Sequence, residues 1–124
     1  VRKLLAVFAF VAMGVSLAIA SGIIAKEVTV KGEVIDLPCY EGKGGVHGEE
    51  HRQCAIACAK KGNQLAILED GTNTVYVITG NYSANKNEKL IPFVAEKVEA
   101  KGEVTEKDGK RYLNITSIKK LESK

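Results

Sequence analysis

Four residues in one short stretch have side chains that hold metals or exchange electrons: Cys39, His51, Cys54 and Cys58. Thiolate sulfur and neutral imidazole are donors favoured by Zn²⁺ and, among softer ions, by Cu(I). Successive residues of a helix turn by about 100°. With His51 as origin, Cys54 falls near ~300° and Cys58 near ~340°, so the three share one helical face. His47 is a fifth candidate, and would fall near ~320° if the helix began early. Cys39 comes from the preceding strand end. A loop over 41–48 with Gly42, Gly44, Gly45 and Gly48 lets it fold over that face. The expectation is a Cys₃His site for zinc or copper near a helix N-terminus, where the dipole favours thiolate over thiol.

The same residues support other chemistry. In an oxidising compartment Cys39 could bond to Cys54 or Cys58 and tie the glycine loop to the helix, leaving one thiol over. A redox-active thiol pair is a third reading. Cys54 and Cys58 also lie beside Ala55, Ile56 and Ala59, and free cysteine is often plain core. His47-Gly48-Glu49-Glu50-His51 matches the inverted zinc-protease pattern His-x-x-Glu-His. That chemistry needs both histidines on one helix and a large cleft, and Gly48 interrupts the motif. No Ser/His/Asp or paired-carboxylate arrangement stands out, so binding is expected rather than catalysis.

The elements that must position these residues are short. Lys26 to Leu37 reads as a strand, with Val28, Val30, Gly32 and Val34 on one face and Ile35 and Leu37 shifted to the other. That shift predicts a bulge or tight bend near Gly32, and Pro38 ends the strand. A helix is expected over about Glu49–Lys61, with Glu49 and Glu50 in its first turn, Lys60 and Lys61 in its last, and Gly62-Asn63 as its stop. Gln64–Glu69 and Thr74–Thr79 form a hairpin around Asp70-Gly71-Thr72-Asn73. Glu88–Ala95 holds a short helix broken or begun at Pro92. Lys97–Glu106 and Arg111–Lys119 form a second hairpin around Lys107-Asp108-Gly109-Lys110. The segment from Val28 to Val34 repeats in Val98 to Val104, so Gly32 and Gly102 are expected at equivalent strand bends. The fold class is mainly β: a small five-stranded OB-like barrel over residues 26–121 with one inserted helix.

The first residues read differently. Arg2 and Lys3 precede an uncharged run from Leu4 to Ala25, and Ala18-Ile19-Ala20 ends it in small-x-small fashion. This is the pattern of a secretory signal cut after Ala20. Uncleaved, the run to about residue 25 would be a membrane anchor. The domain is therefore expected outside the cytoplasm, periplasmic or extracellular. Removing Arg2 and Lys3 from the 18 basic residues leaves 16 against 15 acidic ones, about +1. That balance offers no electrostatic footprint for nucleic acid or an anionic membrane. Of the three Phe only Phe93 lies outside the export segment, so the core must rest on Val, Ile and Leu.

The run Gly-Glu-Val-Ile-Asp-Leu-Pro-Cys, then His-Arg-Gln-Cys-Ala-Ile-Ala-Cys-Ala-Lys-Lys-Gly, then an Asp-Gly hairpin and Val-Glu-Ala-Lys-Gly-Glu-Val, resembles a group of small exported bacterial proteins of unknown function. The resemblance covers nearly all of residues 26–121. It implies a signal segment, an OB-like barrel and a Cys…His-x-x-Cys-x-x-x-Cys core, and no activity. An exported small barrel is also similar to the periplasmic haem chaperone of cytochrome c maturation. That family attaches haem through a C-terminal His-x-x-x-Tyr motif, and no histidine follows His51 here.

Overall fold

The structure, a computed structural model, describes residues 26–122. The expected signal or anchor segment lies outside the described residues. Among the described residues no helix is long and apolar enough to cross a membrane.

Five strands close a barrel: β1 (Lys26–Asp36), β2 (Leu65–Glu69), β3 (Val75–Thr79), β4 (Lys97–Lys107) and β5 (Lys110–Lys120). Their order around the barrel is β1-β2-β3-β5-β4, closing back on β1. All pairings are antiparallel except β3 with β5. This is the expected OB-like barrel. β1 belongs to two neighbours at once. Lys26 to Glu33 pair with β4, while Gly32 to Asp36 pair with β2. The hairpin between β4 and β5 turns on Asp108 (φ 53°) and Gly109 (φ 75°), the left-handed pair that an Asp-Gly dipeptide supplies.

Alternation along the strands sorts the apolar residues into two sets. Val30, Val34, Leu65, Ile67, Ile78, Val98, Ala100, Leu113 and Ile115 fill the interior. The opposite face of β1, β2 and β3 carries Ile35, Ala66, Leu68 and Val77, joined by Leu37. The face change read from β1 therefore corresponds to two separate cores. β2 is buried on both sides because it lies between them.

The two equivalent glycines sit where the sequence repeat placed them. A Cβ on Gly32 would lie 2.1 Å from the Leu68 carbonyl oxygen, and one on Gly102 would lie 2.1 Å from that of Asn114. Both strands thus bring their glycine under a carbonyl of the neighbouring strand. The register of β4 against β5 slips between Lys101 and Gly102.

The helical parts differ from expectation in several places, and a 3-10 turn over Gly80–Ser83 followed by a short helix over Ala84–Asn87 replaces a plain loop. Pro38 does not simply end the strand. Leu37–Gly42 forms a short helix, α1, capped by Asp36 with Pro38 in its first turn. A proline is tolerated there because the first turn has no partner for its missing N–H. The expected helix over 49–61 is in two pieces: a 3-10 turn over Glu49–His51, then α2 over Arg52–Lys60. Gly48, at φ 91°, bends the chain away just before it. The short helix near Pro92 is a 3-10 turn over Ile91–Phe93.

α2 seals one end of the barrel by burying Ala55 and Ala59 in the interior core. Its two ends are tied down. Arg52 donates to Glu49 (Nε to Oε2, 2.9 Å) and to Glu96, just ahead of β4. At the other end the buried Asn87 amide donates to the carbonyls of Ala59 (2.9 Å) and Asn63 (2.8 Å).

Candidate metal centre

The end of β1 and the start of α1 supply two site residues. Asp36, 1% exposed, caps α1 by accepting from the Cys39 N–H (3.5 Å). The cap fixes Cys39 on the first turn, where it is buried. His51 comes from the 3-10 turn, and Cys54 and Cys58 from α2. Since Ala55 and Ala59 face the barrel, the positions just before each, Cys54 and Cys58, flank the buried face about 100° around the helix. Cys54 is exposed and Cys58 half-buried.

These residues form two overlapping groups. The sulfur atoms of Cys39, Cys54 and Cys58 lie within 4.8 Å of one another. An Asp36 carboxylate oxygen, the Cys39 sulfur and a His51 ring nitrogen also lie within 4.8 Å of one another. Cys39 belongs to both. Around a tetrahedral Zn²⁺ with Zn–S near 2.3 Å, sulfur atoms stand about 3.8 Å apart, so modest tightening would suffice. All three cysteines are free thiols, and neither the Cys39–Cys54 nor the Cys39–Cys58 bond is formed.

Among the described residues, the two buried side-chain polar atoms without a hydrogen-bond partner are Asp36 Oδ2 and His51 Nε2. Both belong to the cluster. Leaving a buried polar atom unpaired costs about 1–3 kcal/mol. Two such atoms on residues of one cluster would be stabilised by a ligand there.

The electrostatics reverse one expectation. Cys39 and Cys58 are not made acidic. Burial, followed by the adjacent Asp36 carboxylate, pushes the Cys39 thiol up to about 11. Cys58 is raised by burial first, and then by Asp36 and Cys54. Without a cation these two thiols stay protonated at neutral pH. A cation would have to displace their protons, and would then neutralise the charge that opposes ionisation.

His47 belongs to neither group. It lies off the helix and turns its Nδ1 to Glu33 (3.3 Å from Oε2). Glu33, though 6% exposed, also accepts from the Gly48 N–H (2.7 Å). Glu33 thereby anchors the glycine loop against β1. A pocket of about 320 Å³ lined by Gly45, Val46, His47, Glu50 and His51 opens beside it. His47 and His51 share no helix, so the inverted zinc-protease arrangement is not formed.

The sequence reading brought Cys39, His51, Cys54 and Cys58 together and missed Asp36 and Glu33. Asp36 carries a signal: an Asp two residues before a Pro is a helix cap followed by a tolerated first-turn proline. Glu33 carries none, since a charged residue between Gly32 and Val34 reads as the solvent side of a strand. In comparisons with protein-family models, curated proteins and solved structures, nothing matched the chain.

Proposed function

We propose that this chain is a small metal-binding module that works outside the cytoplasm and holds zinc or copper through Cys39, His51, Cys54 and Cys58. The observation that carries this reading is that Cys39 joins a group of three thiols to a group with Asp36 and His51, each of which has a buried atom without a hydrogen-bond partner. Thiols and imidazole gathered at that spacing suit a thiophilic ion better than Ca²⁺ or Mg²⁺, which take oxygen donors. The export pattern of residues 1–20 supports a location where the ion would be met after translocation.

The test uses the full chain, expressed with export and prepared reduced and free of oxygen. Elemental analysis should find one equivalent of zinc or copper, and the intact mass should begin at Ser21. His51→Ala should lower both metal content and melting temperature, and a chelator should reproduce the thermal effect on the unsubstituted protein. The close approach of the three sulfur atoms favours a second reading, a Cys39 disulfide to Cys54 or Cys58. That reading takes over if metal-supplemented protein carries no stoichiometric ion and oxidation forms one disulfide with the fold retained.

A further inference from the structure

Counting Cys39, the two overlapping groups hold five donors, one more than a tetrahedral ion takes. We infer that the resident ion is divalent zinc, held by Asp36, Cys39, His51 and Cys58, and that Cys54 is left outside as a free thiol. The inference deepens the metal-binding reading and rests on it, while exchanging one of its four ligands.

Three observations select the set. First, the unpartnered Oδ2 of Asp36 and Nε2 of His51 are both buried. A Cu(I) ion held by the three thiols would leave both orphaned. An ion that accepts oxygen, nitrogen and sulfur donors together satisfies both, and zinc is such an ion. Second, Asp36 and His51 already stand within 4.8 Å of Cys39 and of each other. Of the two remaining cysteines, both within 4.8 Å of the Cys39 sulfur, Cys58 is the one withdrawn from solvent. Third, Cys54 is the exposed member of the cluster. Two thiolates and a carboxylate bring three negative charges, which a divalent ion offsets better than a monovalent one. Binding forms four dative bonds and releases the thiol protons to solvent, with no change of oxidation state.

Asp36→Asn separates the roles of this residue, because asparagine caps a helix as well as aspartate does. The full-length, reduced protein is titrated with zinc against a chromophoric chelator, and separately with cobalt(II) as a spectroscopic probe. Asp36→Asn should keep the melting temperature of the metal-free protein but weaken zinc binding by about 10-fold or more, in the range seen when zinc-site partners are lost. Cys54→Ser should bind zinc as the parent does. The cobalt form of the parent should show sulfur-to-metal charge transfer from two thiolates, unchanged by Cys54→Ser. Zinc binding unaffected by Asp36→Asn overturns the assignment, as does zinc lost in Cys54→Ser or the charge-transfer intensity of three thiolates. Those results leave the Cys₃His reading standing. A parent that binds no metal overturns both.

Discussion

Cys39 is the side chain on which the cluster turns, because it belongs to both three-donor groups and is the most buried of the thiols. Its burial beside Asp36 gives the metal-free protein a pH signature. The thiol titrates near about 11 in the folded chain, against 9.0 ordinarily. Below about pH 9 both folded and unfolded chains hold this proton, and stability is unaffected. Between about 9 and 11 the unfolded chain gives it up while the folded chain keeps it, so stability falls as pH rises. The melting temperature of metal-free protein should therefore decline across that window, and Cys39→Ser should flatten the decline. If parent and variant fall in parallel, Cys39 is not the group responsible. The thiols and His51 were legible because period and residue type speak directly at helical spacing. Asp36 was not, because its role depends on α1 starting at once after β1, and Pro38 read more simply as a stop. His47, a possible further ligand on sequence grounds, stands outside both groups. Its place on Glu33 follows from a contact fourteen residues away that periodicity does not encode.

At the scale of elements, the site depends on where α2 is pinned. Of the α2 side chains packed on the barrel end, Ala55 and Ala59 are small and Ile56 is only partly buried, so packing is a modest part of what fixes the helix. The polar ties must supply the rest. Arg52 draws Glu49 and Glu96 together, and Glu96 is correspondingly held below the usual carboxylate range by that guanidinium. At the far end Asn87 holds two carbonyls from a backbone at φ 60°, a conformation asparagine tolerates better than most residues. Asn87→Ala would take the side-chain donor from the Asn63 carbonyl, remove one of the donors to Ala59, and strain the turn. A loss of about 2–4 kcal/mol is expected by denaturant melting, from about 1–2 per lost buried hydrogen bond. Metal affinity should weaken with it, since Cys58 sits on the turn beside Ala59. A variant as stable as the parent would show that Asn87 does not pin the helix. The helix itself was legible from its charges and its Gly-Asn stop. Its first turn was not, because Glu49 and Glu50 favour a helix start while Gly48 sets the entry angle, and the outcome is a 3-10 turn.

For the whole molecule, the interior core and the cluster draw on different side chains. The interior core closes around β1 to β5 and α2 without Asp36, Cys39 or His51. Closure depends instead on two close approaches. β1 passes from β4 to β2 at Gly32, which pairs with Val98 on one side and Glu69 on the other. β4 slips its register on β5 at Gly102. In each place the neighbouring carbonyl occupies the volume of a side chain, 2.1 Å from where a Cβ would stand. The repeat from Val28 to Val34 in Val98 to Val104 thus has a steric reason. Two strands of one closed barrel bend sharply, and only glycine lets the backbones meet. This is why the fold was legible from so little: the alternating valines, the two Asp-Gly turns and the paired glycines each restrict closure in the same sense. Gly32→Val and Gly102→Val should each destabilise the barrel by about 3 kcal/mol or more, because backbone rather than a flexible side chain must yield. The loss should appear equally with metal bound or removed, as the clash is distant from the cluster. Substitutions that leave the melting temperature unchanged would mean that the strands do not close at these points.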